Sequence, residues 1–111
     1  MPDFAHLRDR IDAACARAAS EQHDADLLAE IENLLAEGYI CALSGDRSRR
    51  RLQERFDALV EAAQGGAGTE QLRAVSREQR LVAEATRELR AQLAVMREHW
   101  LAMGSERLRL A

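Results

Sequence analysis

Lysine is absent: all 16 basic residues of the chain are arginine. Without lysine no Gly-x-x-x-x-Gly-Lys phosphate loop can form. The only proline is Pro2, so from Asp3 onwards no pyrrolidine ring bars a helix. Two cysteines, Cys15 and Cys41, are too few and too isolated for a disulfide framework. Both sit among apolar neighbours and read as reduced, buried thiols of a cytoplasmic protein. No apolar run approaches the length of a membrane span, and no signal-peptide pattern opens the chain.

Metal and catalytic constellations are missing as well. A di-iron bundle needs Glu-x-x-His on facing helices, and that motif does not occur. His6, His23 and His99 lie on three segments without a carboxylate or thiol at ligand spacing, and read as surface or boundary histidines. Ser20, Ser44, Ser48, Ser76 and Ser105 have no nucleophile-elbow context. The expectation is a protein that is not an enzyme and carries no metal and no cofactor.

What remains is the usage of long helices: 47% hydrophobic, 32% charged and 4% aromatic, rich in Ala, Leu, Arg and Glu, in 111 residues that suit one domain. From Leu72 the chain alternates steps of three and four through Val75, Gln79, Val82, Thr86, Leu89, Leu93, Met96, Trp100 and Met103. That frame predicts one helix over 69–103, with Thr69 as N-cap, Gly104 as stop and a fraying segment from Ser105 to Ala111. Gln79 and Thr86, the polar members of the seam, read as register control.

A second frame runs Leu28, Ile31, Leu35, Gly38, Ala42, Gly45, Arg49, Leu52, Phe56, Leu59 and Ala63. Its continuity favours a single helix over 24–64, bent or locally weak near Gly45. The other reading has Gly45-Asp46 ending one helix and capping the next. Gly38, Ala42 and Gly45 are small enough to let a neighbouring helix approach closely. Phe4, Leu7, Ile11, Ala14 and Ala18 predict a shorter helix over 3–19, separated by a polar break at Ser20 to Asp24. Gly65-Gly66-Ala67-Gly68 makes the turn between the two long helices. The predicted architecture is therefore all-α: a long antiparallel helical hairpin plus a shorter N-terminal helix, in a coiled-coil-like three-helix bundle.

Formal charge is −3 overall but uneven. Residues 1–37 carry nine acids against three arginines, 38–64 four against five, and 65–111 six against eight. The acidic first third beside basic later segments suits packing of one helix on the others, and does not suit general nucleic-acid binding. The densest basic cluster is Arg47-Ser48-Arg49-Arg50-Arg51. It reads first as a solvated helix face, and otherwise as a contact for an acidic partner through Arg47, Arg49, Arg50 and Arg51. Leu34, Tyr39, Leu81, Val95 and Leu101 fall off the seams and need covering by the first helix, a partner or a second copy. Leu89, Leu93, Met96, Trp100 and Met103 form the richest apolar patch. A Met/Trp stripe at helical spacing is more often core than contact surface, but a partner-binding role stays open if this helix outruns its neighbours.

Glu32-Asn33-Leu34-Leu35, then Ala42-Leu43-Ser44-Gly45-Asp46, then Leu52, Phe56, Leu59 and Val60 resemble the small flagellar export chaperones of hook-junction and filament-cap proteins. The resemblance spans residues 28–103, and departs from that pattern at Gly38-Tyr39 and in the leucine spacing after Asp46. It implies an export chaperone or adaptor that binds a helical segment of its substrate through the C-terminal helix. The competing expectation is a structural homo-oligomer, two hairpins closing one bundle. In either case the partner is a protein or a second copy of the chain, a homodimer being favoured over nucleic acid or membrane.

Overall fold

A computed structural model describes residues 4–20, 23–63 and 68–110 of the chain. The fold is all-α, with α1 at Ala5–Ala19, α2 at Ala25–Ala62 and α3 at Thr69–Leu110, and no strand among the described residues. The molecule measures 69 × 20 × 15 Å.

Each boundary has a local cause. Asp24 is the N-cap of α2 and its carboxylate accepts from the Leu27 amide at 2.7 Å. That satisfies one of the amides a helix start leaves without a partner. The His23 ring lies 2.7 Å from the Ala18 carbonyl and ties the connection back to α1. At the second turn Gly65, Gly66 and Ala67 lie outside the described residues, as do Asp3, Glu21 and Gln22. Gly68 has φ +105°, a conformation that favours glycine, and its carbonyl accepts the Leu72 amide at 3.0 Å. The capping position is therefore Gly68, and Thr69 is the first helical residue rather than the cap. Gly104 does not stop α3, which continues to Leu110: no proline follows, and a glycine inside a helix costs only about 1 kcal/mol.

α2 is unbroken through Gly45. It runs antiparallel to α3, as the contacts of Glu32 with Trp100, Asp46 with Arg90 and Gln53 with Gln79 show. α1 runs antiparallel to α2, with Arg10 paired to Glu37 at 3.1 Å and Arg17 to Glu30 at 2.7 Å. It is tied to α3 by Arg8, which meets Glu88 at 2.8 Å and Gln92 at 2.6 Å, and by Gln92, which donates to Asp12 at 2.6 Å. Two of these ion pairs, Arg10–Glu37 and Arg17–Glu30, lie within the acidic first third, and the one that joins it to α3, Arg8–Glu88, has the arginine on α1. Arginines of α1 meet acids of α2 and α3, so much of the acidic excess of the first third, Asp9, Asp26 and Glu32 among it, stays exposed.

The main core is a three-helix cluster. Phe4, Leu7, Ile11, Ala14 and Ala18 of α1 meet Leu27, Leu28, Ile31, Leu34 and Ala42 of α2 and Leu89, Leu93, Met96 and Met103 of α3. α1 starts level with the middle of α2, so beyond Gly45 only two helices continue. This two-helix arm, residues 46–62 and 69–87, is roughly 25 Å long at 1.5 Å per residue. Its seam is thinner: Val75, Val82 and Thr86 are buried, while Leu52, Phe56, Leu59 and Leu72 are half-buried. Close approach at the start of the arm depends on glycine. A Cβ on Gly45 would overlap the Thr86 side chain, and one on Gly38 would overlap Leu93.

Candidate functional site

The C-terminal stripe is core. Leu89, Leu93 and Met96 are 0% exposed and Met103 is 3% exposed. The apolar surface that a partner-binding role would leave open near Met96 and Trp100 is closed by α1, whose five apolar side chains lie in the same cluster. Trp100 is half-buried against that cluster, and its indole Nε1 donates to Glu32 Oε1 at 3.4 Å. Four of the five residues expected to bind a partner thus have no free surface, because α1 reaches the full length of the bundle end. Leu34, expected to need a cover, is fully buried. Tyr39, Leu81, Val95 and Leu101 remain 43 to 50% exposed.

The arginine cluster is divided by helical geometry, since residues one apart point about 100° away from each other. Arg49 and Arg50 turn into a groove between α2 and α3, whereas Arg47 faces outward and Arg51 lies beside Ser48, 3.5 Å from its hydroxyl. Arg49 is exposed at the groove edge instead of in the seam, where Ser48 and Leu52 are half-buried instead. Across the groove stand Ser76, Gln79, Arg80, Ala83 and Arg90 of α3, enclosing a volume of about 810 Å³. The groove extends one way past Thr86 and Arg87, and the other way past Phe56, Leu72, Arg73 and Arg77.

Seven arginines, at 49, 50, 73, 77, 80, 87 and 90, line this surface with a single carboxylate, Asp46. Asp46 is already committed. Arg90 Nη1 and Nη2 donate to its two oxygens at 2.9 and 2.5 Å. That fork holds the Asp46 carboxyl below the usual carboxylate range, with Arg49 and Arg50 adding to the effect, and raises the Arg90 guanidinium. Gln79 donates to Gln53 across the seam at 2.9 Å. Of the remaining guanidinium groups, those of Arg73, Arg77 and Arg80 line the same stretch of groove as half-buried Phe56 and Leu72, an arrangement suited to carboxylates carried on an apolar backing.

The α3 half of the groove is absent from the sequence expectation. Its signal was there to read: Arg73, Arg80 and Arg87 recur at spacing seven, one position after the seam residues Leu72, Gln79 and Thr86.

Among the described residues no group of three or more His, Cys, Asp or Glu is placed to hold a metal ion. Among the described residues no helix is long and apolar enough to cross a membrane. Cys15 and Cys41 are free thiols, half-buried rather than buried as expected. Comparison of the chain with protein-family models, with curated proteins and with solved structures gives no match.

Proposed function

We propose that this chain is a non-enzymatic protein-binding module that docks an acidic, amphipathic helical segment along its two-helix arm, largely through the C-terminal helix. The observation that carries the reading is the groove itself: seven arginines against one carboxylate, beside a seam whose Phe56 and Leu72 are only half-buried. A helix with apolar residues on one side and carboxylates flanking them answers both features. Net charge of −3 argues against nucleic acid, because the rest of the chain repels a polyanion.

The resemblance to flagellar export chaperones fits the same reading, and would make the partner a helical segment of an export substrate. The docking surface then lies toward Leu72 and Arg80 of α3, not at Met96 and Met103. A structural homo-oligomer is the second reading, favoured by a separate apolar surface on α2.

The test is fluorescence anisotropy with a labelled Leu/Glu amphipathic helical peptide, its Glu→Gln analogue and a single-stranded oligonucleotide. The acidic peptide binds, and the Glu→Gln analogue does not. Arg49→Glu with Arg80→Glu weakens binding by about tenfold or more, as does added salt. Phe56→Ser weakens it without changing its salt dependence. An oligonucleotide that binds more tightly than the peptide replaces the protein partner with a nucleic acid. Failure of both probes to bind removes the groove as a docking site.

A further inference from the structure

α2 carries a second surface, whose centre faces neither α1 nor α3 and whose flanks reach Glu32 and Arg50 at the edge of α3. Ala29, Glu32, Ala36, Tyr39, Ile40, Leu43, Arg47 and Arg50 follow one another at steps of three and four, apart from the adjacent pair Tyr39-Ile40, and all are exposed. Its centre is the most exposed apolar patch described in the chain: Ile40 is 68% exposed, Leu43 54% and Tyr39 43%. An amphipathic helix on a closed bundle has no need of large apolar groups on its outer face. Of these residues only Arg50 also lines the arm groove, and this inference does not rest on the function proposed above.

We infer that this face is a two-fold interface with a second copy of the chain, the two α2 helices packing antiparallel about a point between Tyr39 and Ile40. The stripe maps onto itself under that rotation. Ala36 falls opposite Leu43 of the other copy, small against large, and Tyr39 falls opposite Ile40. On the flanks Glu32 falls opposite Arg47, twice, and Ala29 falls opposite Arg50. The one acid of the stripe, Glu32, lies on its N-terminal side and the arginines on its C-terminal side, so only the antiparallel arrangement brings opposite signs together. A parallel pair would set Arg47 on Arg47.

Arg47 makes no ion pair within the described chain. Glu32 engages Trp100 through Oε1 alone, leaving Oε2 for a second donor. Such a contact is isologous, the commonest form of self-association. Its short apolar centre places it at the small, reversible end of protein interfaces.

Light scattering on the full chain over a roughly thousandfold concentration range tests the interface. The chain passes from monomer to dimer, and Ile40→Glu raises the dissociation constant by about tenfold or more with an unchanged circular-dichroism spectrum. Glu32→Arg alone and Arg47→Glu alone are each monomeric, because each sets like charges together in its own homodimer. Mixing these two variants restores a dimer. The arginine introduced in one chain then meets the glutamate introduced in the other, and the native Arg47 and Glu32 still meet at the opposite flank. A folding defect could not be repaired by mixing. A chain monomeric at every concentration overturns the interface. So does a dimer that tolerates Ile40→Glu, or one lost only when Arg80 of the arm is reversed.

Discussion

Gly45 of α2 lies directly against Thr86 of α3, at the point where three helices become two. A Cβ at position 45 would overlap Thr86 Oγ1 and sit 3.3 Å from both Thr86 Cβ and Cγ2. Thr86 is 4% exposed, and its hydroxyl donates to the Val82 carbonyl at 2.8 Å, so its polar atom is satisfied inside its own helix. The pair explains how a glycine persists within an unbroken helix: what it costs in helix propensity is offset by close packing.

Gly45→Ala tests that balance. Alanine gains about 1 kcal/mol of helix propensity. Overpacking a closed seam costs about 1–3 kcal/mol, and a β-branched threonine has little freedom to turn away. The expected net effect is a loss of up to about 2 kcal/mol, seen as a Tm lower by several degrees in calorimetry. The double variant Gly45→Ala/Thr86→Ala removes the overlap and keeps the propensity gain, so its Tm returns to the wild-type value or above. A single variant more stable than wild type would mean that the helices separate there without cost.

Met96 and Trp100 lie one helical turn apart and differ in what surrounds them. Met96 is fully buried in the three-helix cluster, and Met96→Ala is expected to cost about 2–5 kcal/mol. Trp100 is half-buried, and its replacement by alanine is expected to cost about 1–2 kcal/mol despite the larger volume removed. Urea unfolding of both variants ranks them. If Trp100→Ala proves the more damaging, the indole contributes more to the core than its exposure implies.

The heptad frame makes most of this architecture readable. Every member of the α3 frame from Leu72 to Met103 is buried or half-buried, and so is every apolar member of the α1 frame from Phe4 to Ala18. Periodicity reports which side of a helix faces inward; here one frame member, Arg49, is exposed, and Leu27 and Leu34 are buried although they lie off the α2 frame. It does not report which neighbour occupies the inner side. Leu93 and Met96 therefore suit a partner or α1 equally in sequence, and only the length and direction of α1 decide between them. The groove is hidden for a related reason. Arg49 and Arg80 lie on different helices, and which seam flanks face each other follows from how two helices rotate against one another. No spacing within a single helix carries that information.

The Asp46–Arg90 fork sets a pH dependence of defined sign. The Asp46 carboxyl is lowered in the folded chain, so the pair adds stability above the ordinary aspartate value near 3.8 and loses it as pH falls through the folded value. Both side chains are more than a third exposed, at 37% and 46%, which limits the contribution to below about 1 kcal/mol. The stability difference between wild type and Arg90→Gln is expected to be present at neutral pH and to vanish in acid. Carboxyl-carbon NMR of Asp46 should show its pKa rising toward the ordinary value in Arg90→Gln. An unchanged titration would mean that the fork is open in solution.

Cys15 offers a readout of how firmly α1 is seated. Burial raises its thiol pKa above the ordinary cysteine value, and the Asp12 carboxylate raises it further. The thiolate is the reactive form, so alkylation at neutral pH is expected to be several-fold slower than for an unstructured cysteine. In a Cys41→Ser background the rate belongs to Cys15 alone. Asp12→Asn removes the smaller of the two causes, and should speed the reaction modestly while leaving it slower than in the unfolded chain. Low urea that loosens α1 before the hairpin should raise the rate before helix content falls, because α1 is held by one apolar face and exposed ion pairs. Rapid alkylation in the absence of denaturant would mean that α1 leaves the bundle readily, uncovering the Leu89, Leu93 and Met96 surface it closes.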